Sequence, residues 1–234
     1  MNNAEILSWV EWEKHSTLEE KAILNLNELI VPIEYMQIWK DISMPVQYDK
    51  ARRHGLDRNA TMACFEQLVK RPYFLTLLAE QHQCKNIAEI GTAEGLQFYT
   101  FAHHLLDKGS GHVWSCDLRD VRNRTYVERY NKNTTFCLGD SSAMSNVIVS
   151  ENEKIDFFYV DASHKKGEVL ADVENVKKVQ SENPIWVFDD FDERFGCFDD
   201  IRSLCLVNNN FQVYRVGNAA SGNPNHQVVI YGKL

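Results

Sequence analysis

The sequence predicts a doubly wound α/β fold, with a mostly parallel sheet, an antiparallel last strand and an N-terminal helical extension. Three observations predict it. From Lys85 onward, short apolar runs alternate with helical patterns, which is the signature of β-α-β units. An acidic residue stands at or near the end of five successive strand-like runs. The chain closes on two strand-like runs joined by a loop with Gly222 and Pro224, suited to an antiparallel pair.

Taken in order, residues 1 to about 83 read as helical. Ser16-Thr-Leu-Glu19 is a capping-box pattern opening a helix to about Leu29. A second helix is expected from Asn59 to Lys70, and a third from Pro72, a residue favoured in a first helical turn. Between them, residues 44–58 are polar and basic, without period, and read as a loop. Strands are then expected at 86–91, 112–118, 134–139, 155–161 and 184–190. Helices are expected over 95–109, about 120–131, 141–150, after 161 and over 198–206. The helix after 161 carries Val169, Leu170, Val173, Val176 and Val179 on one stripe. The closing strands are 211–217 and 226–232. The division expected is a helical cap or association region over 1–71 and a ligand-binding domain over 72–234.

At 234 residues the chain can bury a substantial core. Its formal net charge of −8 opposes a nucleic-acid partner, since phosphate backbones are held by clustered Lys and Arg. No apolar run reaches the roughly 18 residues of a membrane span, and the charged N-terminus does not read as a secretory signal. Six cysteines are scattered without a C-x-x-C pair, which suits buried free thiols in a cytoplasmic protein.

Ligands of such sheets bind at the carboxyl ends of the strands. Those ends hold Glu89 and Gly91, then Asp117, then Asp140 and Ser141, then Asp161, then Asp189 and Asp190. A lone Asp there is a common helix N-cap; five acidic ends in series point to a site. The turn EIGTAEG (89–95) lets backbone amides approach a ligand. It does not fit the dinucleotide pattern G-x-G-x-x-G, because Ala93 and Leu96 stand where glycines are needed. No Gly-Lys-Ser/Thr follows either, which excludes a Walker A loop.

Acid-x-Gly-x-x-x-Gly with an acid at the next strand end resembles the first motif of class I S-adenosylmethionine-dependent methyltransferases. The closest form is that of the catechol-type O-methyltransferases. The resemblance covers roughly residues 72–232. It implies that Gly91, Thr92, Ala93 and Gly95 lie against the methionine part of the cofactor, with Glu89 in support. It implies that Asp117 accepts from the ribose hydroxyls and that Asp140 and Ser141 sit near the adenine.

DASHKKGEVLAD (161–172) resembles a pattern of bacterial small-molecule methyltransferases: Asp161, His164 three later and Asp172 eleven later. In the catechol-type and macrocin-type enzymes the positions matching Asp161, Asp189 and Asp190 bind a divalent cation. Three carboxylates from adjacent strand ends suit Mg²⁺. His164, placed where the catechol enzymes carry a lysine base, is the expected general base. Lys165 and Lys166 read as solvated first-turn residues, and His103-His104 as helix surface and core. The family places acceptor selectivity in regions matching about 31–60 and 191–200, the latter carrying Phe191, Phe195 and Phe198.

The activity this implies is O-methyl transfer to a hydroxyl of a small molecule, a sugar, polyketide or phenolic, with S-adenosylmethionine and Mg²⁺ as cofactors. Two alternatives stand beside it: a fold-related hydroxylase of secondary metabolism, and a silent adenosyl-ligand-binding domain. The N-terminal helices are the expected surface for homo-oligomer formation.

Overall fold

The computed structural model describes residues 24–46, 69–216 and 225–234. An eight-stranded sheet forms the middle layer. In chain order its strands are β1 (Leu24–Asn25), β2 (Asn86–Ile90), β3 (His112–Asp117), β4 (Thr134–Leu138), β5 (Ile155–Val160), β6 (Gln180–Phe188), β7 (Phe211–Val216) and β8 (Asn225–Tyr231). Their spatial order is β1-β7-β8-β6-β5-β2-β3-β4. β8 runs antiparallel to both β6 and β7, and the other pairings are parallel.

The helices are α1 (Ile33–Ile38), α2 (Lys70–Gln81), α3 (Leu96–Asp107), α4 (Arg124–Tyr130), α5 (Ser141–Ser150), α6 (Glu168–Val176) and α7 (Cys197–Val207). They cover both faces of the sheet, as continuous apolar strands require. One core holds Phe74, Leu75, Phe98, Phe101 and Phe157 with residues from α2 and α3. The other packs Ala88, Trp114, Phe158 and Trp186 against Ile148, Val173 and Ile201. The stripe on α6 places Val169, Val173 and Val176 in this second core. Asp140 caps α5, its Oδ1 accepting from the Ala143 N–H at 3.1 Å. Asn123 caps α4 in the same way through Thr125 N–H, at 3.0 Å.

The N-terminal segment departs from its helical reading. Leu24–Asn25 is extended and pairs in parallel with Tyr214 and Arg215 of β7. It covers an edge that would otherwise leave backbone groups open. A 3₁₀ turn follows at Leu26–Glu28, and Leu26 and Leu29 are buried in the first core. At Leu24–Asn25 pairing with a distant strand has outweighed the local helical pattern. The Ser16–Glu19 box, the 59–68 part of the second expected helix and most of the 44–58 loop lie outside the described residues. α1 and the π-helical turn after it, Trp39–Ser43, fall within the stretch read as helical, where no individual helix was singled out. They send Trp39, Ile42 and Val46 into the same core as α2 and α3.

β6 starts earlier than the expected residue 184. Pro184 has no N–H and reads as a strand start, yet β6 begins at Gln180. The ladder with β5 shifts register between Ile155 and Phe157, which absorbs the proline. Five cysteines, at 84, 116, 137, 197 and 205, are free and buried, as expected. Among the described residues, no helix is long and apolar enough to cross a membrane.

Candidate active site

The strand order reverses between β2 and β5, so the crevice at their carboxyl ends is the ligand position this topology offers. There Gly91 lies hard against the end of β5. A Cβ on Gly91 would stand 2.1 Å from the Asp161 carbonyl oxygen, and its φ of +97° already favours glycine. The turn winds through two further left-handed residues, Ala93 (φ +44°) and Gly95 (φ +92°). Ala93 occupies the place of the missing middle glycine, and Asp117 holds it there. The Ala93 N–H donates to Asp117 Oδ2 at 2.8 Å, and the Arg119 N–H donates to Oδ1 at 3.0 Å.

A cavity of about 360 Å³ opens over this turn. Glu89, Gly91, Thr92, Ala93, Asp161 and His164, six of the expected site residues, line it. Trp39, Val46, Arg71 and Pro72 close it from the N-terminal side. Gln97 also lines it, and its buried Nε2 has no hydrogen-bond partner. That orphaned donor suits a polar ligand with acceptor groups, whereas the turn's N–H groups at Gly91, Thr92, Ala93 and Gly95, expected to face a ligand, already donate to the Cys116 carbonyl, Asp117 and the Thr92 carbonyl.

Glu89 is 2% exposed. Burial pushes its carboxyl well above the usual range, against a hydrogen bond from Ser115 Oγ at 2.8 Å. Ser115 in turn contacts Thr92 Oγ1 at 2.5 Å. A carboxyl with a raised folded pKa contributes stability below its unfolded pKa and loses it as pH rises toward the folded value. Glu89→Gln removes that loss. Thermal unfolding from pH 4 to 8 is therefore expected to show the variant gaining on the parent as pH rises, with the two converging near pH 4.

The acidic edge assembles beside the cavity. Asp161, Asp189 and Asp190 offer carboxylate oxygens that all lie within 4.8 Å of one another. Burial, then the Asp189 charge, push Asp161 up to about 8. Burial and Asp189 also raise Asp190. Tyr159 Oη donates within this group, 3.0 Å from Asp161 Oδ2 and 3.2 Å from Asp189 Oδ2. Asp190 reaches its place with φ +57°, a left-handed conformation that Asp tolerates better than most residues. Asp189 is 4% exposed, and its Oδ1 is buried without a partner. A buried carboxylate oxygen left open beside two further carboxylates is a donor set that fits a hard divalent cation.

His164 Nε2 lies 2.6 Å from Asp190 Oδ2, and its ring packs on Phe195 with centroids 4.4 Å apart. The loop carrying Phe195 is tied to the His164 loop, because the Cys197 N–H donates to the His164 carbonyl at 3.2 Å. Phe191 and Phe198 stack on each other instead, with centroids 4.6 Å apart, in or against the second core. Lys165 and Lys166 are surface residues, paired with Glu168 and Asp199. His103 lies on α3 against the Tyr130 hydroxyl.

Asp140 and Ser141 follow β4 at the edge of the sheet and do not line the cavity. Asp140 spends Oδ1 on its helix cap and on the Ser142 hydroxyl. Ser141 is buried, donating to Asp172 Oδ1 at 2.6 Å and accepting from Asn175 Nδ2 at 3.0 Å. The second Asp of the DASH pattern thus anchors α5 to α6. Sequence reasoning missed Arg71, whose Nη1 donates to Asp189 Oδ2 at 2.7 Å, and the exposed apolar pair Leu118 and Leu138. The signal for Arg71 was a cation in the first turn of a helix, where the macrodipole opposes it and an acidic partner is needed.

A family model described as a methyltransferase domain matches residues 88–191. None of the curated proteins matches the chain by sequence. Solved structures do resemble it in fold. The O-methyltransferase TomG from Streptomyces achromogenes, involved in tomaymycin synthesis and solved with SAM, is 14% identical with a TM-score of 0.62. The match covers 85% of this chain and 96% of that one. An O-methyltransferase from Bacillus cereus in complex with SAH is 20% identical with a TM-score of 0.56, covering 98% and 96%. An rRNA methylase from Streptococcus thermophilus is 13% identical with a TM-score of 0.52, covering 72% and 96%. The matched 88–191 segment, which is similar to a methyltransferase domain, contains the glycine turn, Asp117, His164 and all three clustered aspartates, and the chain shares the Rossmann-like fold of these solved O-methyltransferases.

Proposed function

We propose that the protein is an S-adenosylmethionine-dependent O-methyltransferase acting on a hydroxyl of a small molecule, a sugar, polyketide or phenolic, with a divalent cation held by Asp161, Asp189 and Asp190. The observation that carries this reading is one cavity that joins residues 91–94 of the turn to Asp161 and His164. The O-methyltransferases TomG and that of Bacillus cereus, with SAM and SAH bound, support the cofactor and the reaction class.

Each residue then has a chemical task. The 91–95 turn and Gln97 bind the amino-acid end of the cofactor, and Asp117 retains lone pairs for a ribose diol. Leu118, 75% exposed beside Asp117, gives a purine an apolar surface. Asp140 and Ser141 frame that end through α5. When bound, the cofactor supplies an electrophilic methyl group, and the cation supplies Lewis acidity to an acceptor oxygen. Asp190 orients His164: with Nε2–H donating to the carboxylate, Nδ1 is the nitrogen that takes the hydroxyl proton. Trp39, Val46 and Pro72 exclude water from the acceptor side. On this reading α1 and the turn after it belong to the acceptor-facing side of the site, and the 1–71 region, most of which lies outside the described residues, also serves self-association in the cytoplasm.

Mass spectrometry of a panel of hydroxylated sugars, polyketides and phenolics tests the reading. A gain of one methyl group, dependent on S-adenosylmethionine and suppressed by EDTA, is expected. Oxygen insertion instead of methylation would assign a hydroxylase. Methylation untouched by EDTA would remove the cation.

A further inference from the structure

Arg71 is the one cation among the described residues that donates into the Asp161–Asp189–Asp190 group from the cavity wall, apart from the imidazole of His164. Its guanidinium takes Asp189 Oδ2 together with Tyr159 Oη, while Asp189 Oδ1 remains buried and unpaired. The acid is therefore fixed on one oxygen and open on the other. We propose that Arg71 is the resident counter-ion of this cluster: it takes Asp189 Oδ2, offsets the clustered negative charge when no cation is bound, and lowers the cluster's affinity for a divalent cation. The inference rests on the cation reading above.

Two effects of Arg71 on a cation oppose each other. Holding a ligand carboxylate in one orientation favours binding, as hydrogen-bonded ligand carboxylates do elsewhere. A fixed positive charge one carboxylate away repels a doubly charged ion in a partly buried setting. The repulsion is the larger, because fixing one short carboxylate side chain saves little entropy. Tyr159 also keeps part of the orientation after Arg71 is lost. Removing the charge should therefore tighten cation binding while leaving the metal-free cluster short of a counter-ion.

The variants are Arg71→Gln, which keeps a donor without charge, and Arg71→Lys, which keeps the charge. Mn²⁺ titration followed by electron paramagnetic resonance reads affinity, and thermal unfolding with and without Mn²⁺ reads stability. The expected result is at least tenfold tighter Mn²⁺ binding in Arg71→Gln and affinity within about threefold of the parent in Arg71→Lys. In metal-free buffer Arg71→Gln should unfold several degrees lower, and saturating Mn²⁺ should restore most of the loss. A merely structural arginine predicts a lower midpoint that Mn²⁺ does not restore. Equal or weaker Mn²⁺ binding in Arg71→Gln overturns the inference while leaving the cation reading intact. No Mn²⁺ binding in any of the three proteins overturns both.

Discussion

Gly91→Ala is expected to lower folding stability by about 2 to 5 kcal/mol and to abolish binding of the adenosyl cofactor. The estimate combines about 1 to 2 kcal/mol for an L side chain in the left-handed region with about 1 to 3 kcal/mol for overpacking. The new methyl group would meet backbone, the Asp161 carbonyl at 2.1 Å and Ala162 Cα at 2.8 Å, so no side chain can swing aside. Either β2 or β5 must move at its carboxyl end. The Asp161 N–H bond to the Ile90 carbonyl, 2.9 Å long, ties those two ends together. One substitution would therefore disturb the turn and the first aspartate of the cluster at once. Urea unfolding followed by circular dichroism measures the first effect, and calorimetric titration with S-adenosylhomocysteine the second. A variant with parental stability and affinity would show that the close approach of β2 and β5 does not build the site.

His164→Ala is expected to reduce kcat by about 10²- to 10⁴-fold, the range for loss of a general base, with cofactor affinity within about threefold of the parent. His164 contacts Asp190 and Phe195, and its side chain is 54% exposed, so its removal opens no core cavity. The binding turn lies on another strand end and keeps its bonds to the Cys116 carbonyl and Asp117. Single-turnover kinetics with an accepted substrate separates the two quantities. Equal losses in kcat and in cofactor affinity would make His164 a support for the site and not its base.

The parallel sheet was legible because buried strands are written as unbroken apolar runs, with breaks at Gly91, Gly139 and the acidic strand ends. The aspartate cluster was legible for a related reason. Asp161, Asp189 and Asp190 follow directly on β5 and β6, and adjacent parallel strands bring their ends together. What depends on distant pairing was not. Leu24–Asn25 becomes a strand only because the β7 edge is there to receive it. Trp39 reaches the cavity through a π-helical turn that no periodicity announces. Arg71 finds Asp189 across 118 residues of chain, a contact that local patterning cannot carry. Ser141 meets Asp172 and Asn175 of α6, more than 30 residues on, a contact that local patterning cannot carry either.

On the proposed function, the Gly91–Gly95 turn and Asp117 form an adenosyl-cofactor site and not a dinucleotide site. Isothermal titration calorimetry of the full chain with S-adenosylhomocysteine, and separately with NAD, tests it most directly. One-to-one binding of S-adenosylhomocysteine, weakened at least tenfold by Asp117→Ala, and no heat of binding with NAD are expected. Absence of S-adenosylhomocysteine binding, or NAD binding of equal strength, would contradict it.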